Sequence, residues 1–271
     1  MSLVYKIKKT TIKMKHKITL FGLFFCLATV AFSQRTINAS DILKDIKNGK
    51  NISYNNVTVT GVLDFTYMDE ALPKLPKRRR WWNNGGSNEI KKLIETKISF
   101  TNCIFKDDVL AYIPDEDSGY TFTASFEDIA IFKDCVFERK AMFKYSRFER
   151  NSDFSGSKFE DDNTFKYAKF DKSISFKNTV FKEPATFKYA KFHQKVSFAN
   201  AVFKETASFK YTQFKDGVSF NSTKFEEDLN IKYVSIRGDF DISNMNVAYD
   251  IDSKYAKING KSFNKYLLNN K

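Results

Sequence analysis

The sequence predicts an all-β solenoid, a coil with four short sides and 22 residues per turn, and three observations carry that reading. Phenylalanine recurs at alternating steps of five and six residues, from Phe126 through Phe132, Phe137, Phe143 and Phe148 to Phe225. Ile231, Ile236, Ile242, Val247, Ser253 and Ile258 continue the series. Two residues before each beat stands a small or apolar residue, as at Ala124, Cys135, Ala168, Val196 and Ala201. The chain also repeats most closely at 22 residues: Phe-Lys-Tyr starts at 143, 165, 187 and 209, and Ile-Lys-Tyr at 231.

Residues two apart point to the same side of an extended chain. Each unit is therefore a very short strand with one small and one large inward side chain. The residues between are mostly Lys, Asp, Glu, Asn, Ser and Tyr, which suits an outward face. A helix needs apolar residues three and four apart, and steps of five and six build no such face. Four steps close one turn. Successive turns stack at about 4.8 Å, the strand spacing, so that the phenylalanines form buried columns.

Units such as Ala168-Lys169-Phe170, Ala190-Lys191-Phe192 and Ala201-Val202-Phe203 resemble those of the pentapeptide-repeat family, with a large central Leu or Phe and a small residue two positions earlier. The resemblance runs from about Ile98 to Ile258, with an earlier patch. It implies a right-handed four-sided parallel β-helix. The alternate sixth residue departs from the family unit and widens every second corner.

The elements follow in order. Six lysines precede Ile18 and no acidic residue precedes Asp41. Ile18 to Phe32 is largely apolar and ends Ala31-Phe32-Ser33. Residues 1–33 thus read as a secretory signal peptide with cleavage before Gln34, too short to favour a membrane anchor. Met14 is an alternative start to Met1. Leu23-Phe24-Phe25 before Cys26 is a poor lipobox, which argues against a lipid anchor. Residues 34–50 read as a capping helix, Ser40 at its N-cap, Gly49 past its end, and Ile42, Leu43 and Ile46 covering the first coil. Residues 51–260 form the solenoid, with about seven or eight coils. Ile52/Tyr54, Val57/Val59 and Leu63/Phe65 fit the first coil, and Ile98/Phe100 and Cys103/Phe105 part of the next. Insertions interrupt the phase at about 66–97 and 110–121. Residues 261–271, with Phe263, Tyr266, Leu267 and Leu268, read as a second cap.

The formal charge of the 271-residue chain is +13. Without the signal it falls to +7, since six lysines and no acids leave with it. A moderately basic surface argues against imitation of DNA, which needs a negative one. Export disfavours a nucleic-acid partner and places the protein in the periplasm, at the outer envelope surface or outside the cell. Cys103 and Cys135 remain, both at the small position. An oxidising compartment permits a disulfide between them, while adjacent parallel rungs often give poor geometry for one, and two buried free thiols is the other reading.

Two surfaces are candidates for binding. At 22-residue spacing Tyr145, Tyr167, Tyr189, Tyr211 and Tyr233 form an outward column beside Lys144, Lys166, Lys188, Lys210 and Lys232, with Arg147, Lys169 and Lys191 on the same side. Such a stripe could hold an anionic polymer, a glycan or lipid headgroups by charge and by stacking on ring faces. Alternatively, stacked tyrosines simply stabilise the face. The other candidate is the run Arg78-Arg79-Arg80-Trp81-Trp82, which reads either as a membrane-surface or partner-binding loop or as a loop folded onto the solenoid.

Catalysis finds little support. Asp115-Glu116-Asp117-Ser118-Gly119 lacks the ligand spacing of a calcium loop. His193, the one histidine left after export, stands beside no cysteine, and no Gly-rich phosphate loop or His/Cys metal cluster appears. No metal or cofactor is implied. The expected function is a non-catalytic, exported structural or interaction module that presents a basic, aromatic surface to an anionic envelope component or a protein partner. The alternative is a carbohydrate-active hydrolase or lyase built on carboxylates such as Glu226, Glu227 and Asp228.

Overall fold

The computed structural model describes residues 35–76 and 88–265, and the signal-peptide reading of 1–33 and the Arg78–Trp82 run lie outside them. The described chain is a right-handed parallel β-helix with four sheets as its sides. Taken in chain order from Ile52, faces 1 and 3 are eight-stranded, face 2 nine-stranded and face 4 ten-stranded. From the third coil on, partners lie 22 residues apart: Phe148 pairs with Phe170, Phe159 with Phe181, and Val196 with Val218.

Every phenylalanine from Phe126 to Phe225 in the five/six series is buried. On face 2, Phe137, Phe159, Phe181 and Phe203 stack in near-parallel pairs 4.7–4.9 Å apart. Across the interior the columns of faces 1 and 3 meet edge to face, Phe176 standing 5.2 Å from Phe165 at 79° and 5.3 Å from Phe187 at 82°. Both arrangements suit the ring quadrupole. Several small positions absorb hydroxyls that find a carbonyl one coil down: Thr179 donates to Phe154 O at 3.0 Å and Thr223 to Phe198 O at 2.7 Å. Ser146 Oγ and both ends of the Asn163 amide find no partner among the described residues, and both residues are buried.

The alternation of five and six residues has a local cause. From Phe143 on, the five-residue steps cross tight turns closed by an i to i+3 bond, such as Thr179 N–H to Phe176 O or Ala190 N–H to Phe187 O. The residue before the bond donor is left-handed in both, φ 57° at Asn178 and 61° at Tyr189. That is the type II pattern, which favours Gly or Asn. The six-residue steps instead round open bends. Corners between faces 1 and 2 use Asn56, Asn102, Asp134, Gly156, Asn178, Asn200, Ser222 and Asn244 for the left-handed slot. Corners between faces 3 and 4 use tyrosine.

The ends depart from expectation in three places. Strand β1 (Arg35–Asn38) precedes the capping helix and pairs in parallel with Val57–Thr60. Helix α1 (Ala39–Lys47) is capped by Asn38, whose side chain accepts from Ser40 N–H, so Ser40 is not the cap. Asn38 holds the extended backbone a cap requires, with φ −81° and ψ 137°. Ile42 and Ile46 are buried as expected, with Leu43 partly so. The tail of the first insertion is also not an insertion, because Glu89–Ile94 pairs with Thr121–Phe126 and forms the fourth side of the first coil. At the far end Lys261–Ser262 folds back antiparallel on Lys257–Ile258, and buried Phe263 sits 6.4 Å from Phe240.

Candidate binding surface

Both insertions leave the coil at one place, the corner between faces 3 and 4. The first follows Leu63–Asp64 and returns at Glu89, and it carries the short helix α2 (Met68–Ala71). The second follows Val109–Leu110 and forms a hairpin of Tyr112–Asp115 against Tyr120–Thr123. Below them the same corner becomes the tyrosine column, and Tyr112 leans on Tyr145 at 5.9 Å.

The sequence-derived column is assembled as expected. Tyr145, Tyr167, Tyr189, Tyr211 and Tyr233 stack at successive centroid distances of 4.9, 4.6, 4.7 and 4.6 Å, with planes within 11°. Tyr255 extends it by one ring at 4.8 Å. The stack corrects one expectation about binding. Each ring face is covered by the next ring, so no ligand can lie on the faces. What reaches solvent is a row of ring edges and phenol oxygens. Lost hydration in the stack, with the flanking phenols of Tyr167 and Tyr211, raises the Tyr189 phenol above its ordinary value.

Cations stand on both banks. On the face-3 side, the ammonium groups of Lys144, Lys166 and Lys210 lie 5.0, 5.3 and 5.2 Å from the centroids of the adjoining rings. Lys144 also donates to Tyr112 Oη at 2.8 Å. Lys188 occupies the same turn position, and Lys232 lies 3.9 Å from the Asp252 carboxylate. On the face-4 side the charge is less evenly available than the sequence suggests. Arg147 donates through Nε to Asp171 at 2.6 Å and stands 3.6 Å from Glu149. His193 turns to the same Asp171, 3.2 Å away. Lys169 and Lys191 have no carboxylate partner among the described residues. Tyr145, Tyr167 and Tyr189 with Arg147, Lys169 and Lys191 enclose a shallow groove of about 340 Å³, closed at its N-terminal end by Glu89 and Lys91. The part played by Glu89 and Lys91 was not legible, because their strand fell inside what the periodicity marked as insertion.

The remaining candidates are separate. Cys103 and Cys135 stack as buried free thiols on adjacent coils. Burial pushes the Cys135 thiol up, while its hydrogen bond favours thiolate at Cys103. Asp115–Gly119 makes the hairpin turn, with Gly119 N–H on Asp115 O at 2.9 Å. At the corner between faces 2 and 3, Glu226 pairs with Lys204 at 2.7 Å and Asp228 accepts from Asp250 N–H. A second cavity of about 510 Å³ lies between α1 and the hairpin, lined by Leu43, Val62, Tyr67, Met68, Leu110 and Ile113 among others. No described helix is long and apolar enough to cross a membrane.

The family model for pentapeptide repeats, in nine copies, matches residues 122–169, 165–213 and 187–235. Residues 122–235, the regular part of the solenoid, therefore carry pentapeptide repeats of that family. Members of that family are in general non-catalytic structural or interaction modules. No curated protein and no solved structure matches the chain.

Proposed function

We propose that this chain is an exported, non-catalytic interaction module that offers its tyrosine corner to an anionic component of the cell envelope or to an acidic partner. The observation that carries this reading is the pairing of a rigid hydroxyl row with lysines that have no carboxylate partner among the described residues, Lys169 and Lys191 on one bank and Lys166 and Lys188 on the other. A lysine kept only for solubility has no reason to recur beside the same ring in successive coils. Export is supported by the basic start and the apolar run from Ile18 to Phe32. The Arg78–Trp82 run adds a second basic element to the same proposal.

A glycosidase would need two carboxylates about 5–9 Å apart facing one groove. Among the residues lining this one only Glu89 is acidic, so the geometry favours binding over cleavage.

The test is co-sedimentation of the chain with its own envelope fraction and with anionic vesicles across a salt series. The comparison is a Lys169→Gln/Lys191→Gln variant. Binding that weakens with salt and in the variant is expected, since exposed charges are screened within about 10 Å at 0.1 M. Absence of binding to both at low salt would refute the reading.

A further inference from the structure

We infer that the occupant of the tyrosine corner is an extended polyuronic chain, an unbranched glycan with one carboxylate on every sugar, lying parallel to the rod axis. This rests on the reading above and narrows it to one class of ligand.

The first argument is chemical. With the ring faces closed, the coils of Tyr167 and Tyr189 each offer one phenol and a lysine to either side of it, and the coil of Tyr145 offers Lys144 and Arg147. A ligand that uses the whole row must supply, at every step, a hydroxyl or ring oxygen for the phenol and an anion for the ammonium. A uronic acid residue carries both. A lipid headgroup supplies a single anchored charge and no repeat along the rod.

The second argument is spacing. The rings advance 4.6–4.9 Å per coil from Tyr145 to Tyr233. That advance is held by backbone bonds between coils, such as Tyr167 N–H to Lys188 O at 2.9 Å and Tyr189 N–H to Lys210 O at 3.0 Å. It cannot stretch to suit a ligand. Duplex DNA advances only about 3.4 Å of helix axis per phosphate of one strand and winds that strand around the axis, so a straight row of lysines cannot follow it. An acidic peptide in extended form returns to the same side only every two residues, about 6.7 Å. An extended 1,4-linked uronic chain, built from bonds of about 1.5 Å, advances roughly 5 Å per sugar and turns successive carboxylates to opposite sides, so that they meet the two lysine banks in alternation. The resulting mismatch, a few tenths of an ångström per coil, is within the reach of a four-carbon lysine stem.

The third argument is extent. The face-4 bank is cationic at Arg147, Lys169 and Lys191 and becomes neutral at Gln213 and Ser235, which occupy the same register. The strongest subsites therefore span three coils, room for about three or four sugars at the strand spacing. Beyond Ser235 the next residue in the register is Lys257, on which Lys261–Ser262 folds back.

The experiment titrates the full chain with polymannuronate oligomers of graded length. Single-stranded DNA of equal charge and phosphatidylglycerol vesicles run in parallel at matched ionic strength. Affinity for polymannuronate should rise with length and level off near three or four sugars. Lys169→Gln/Lys191→Gln should weaken it about tenfold. Tyr167→Phe/Tyr189→Phe keeps every ring stack, removes two hydroxyls, and should weaken it several-fold with the denaturation midpoint unchanged. Equal affinity for the DNA, or indifference to the loss of both hydroxyls, would leave only diffuse charge attraction and overturn the inference. Binding to the vesicles without binding to polymannuronate overturns the inference and leaves the envelope reading standing. Binding to none of the three overturns both.

Discussion

Tyr189→Asn separates what the tyrosine column does for the fold from what it does for a ligand. Tyr189 sits at φ 61°. A left-handed backbone costs an ordinary L-residue about 1–2 kcal/mol, much of which asparagine avoids. On that ground alone the substitution would stabilise by about 1 kcal/mol. Against it stand two parallel stacks, 4.6 Å from Tyr167 and 4.7 Å from Tyr211. Each is worth about 0.5–1.5 kcal/mol beyond burial, so the two together give roughly 2 kcal/mol. The residue is 37% exposed, so the ring also buries on the order of 100 Å² of apolar surface, at most about 2.5 kcal/mol. The losses exceed the gain, and a net destabilisation of about 2–3 kcal/mol is expected. Urea unfolding followed by far-UV circular dichroism measures it, with Tyr189→Phe as the control that keeps both stacks and stays within about 0.5 kcal/mol. A neutral or stabilised Tyr189→Asn would show that strain outweighs stacking. The column would then owe nothing to stability, and the reasoning from ring geometry would fail.

Two further outcomes follow from single groups. Asn163 is buried with an unpartnered amide, while Ala141 and Ala185 occupy the same column on the coils either side. Asn163→Ala should therefore stabilise the rod by about 1–2 kcal/mol, the desolvation cost of an unmade hydrogen bond, seen as a higher denaturation midpoint at unchanged slope. The raised phenol of Tyr189 sets a pH window. Its neutral form is favoured in the fold, so its contribution is complete below the ordinary tyrosine range, near pH 10, and is lost as pH climbs through the raised folded value. A spectrophotometric titration should show tyrosinate at this position appearing later than in the unfolded chain. Earlier ionisation of the folded protein would contradict the stack.

The core was legible because burial acts on residue type one position at a time. A phenylalanine every five or six residues with a small neighbour two back has few ways to hide its rings, and four parallel sheets achieve it. The turns were half legible. Asn178, Asn200 and Gly156 occupy left-handed slots and carry the usual chemistry for that backbone, so the Asn and Gly at the middle of alternate five-residue steps could have been read directly as turns. Tyr145, Tyr167 and Tyr189 occupy the equivalent slots at the other tight corner, where propensity argues against them. Only contacts between coils account for them, and those are set by stacking rather than by local preference. The strand Glu89–Ile94 was hidden for a related reason. Its outer residues alternate without a phenylalanine, and its place is fixed by pairing with Tyr120–Phe126 across the second insertion.

The binding surface follows the same division. Which residues share a corner is a matter of counting to 22, and the sequence suffices for it. Which of their surfaces remain free is decided by tilt and pairing. The rings stack too closely for a guest, Arg147 is drawn to Asp171, and Lys169 and Lys191 have no carboxylate partner among the described residues. The packing that makes the rod rigid thereby removes the aromatic faces from recognition. It leaves hydroxyls and ammonium groups at a fixed interval, and a partner must then be selected by the period of its charges as well as by their sign.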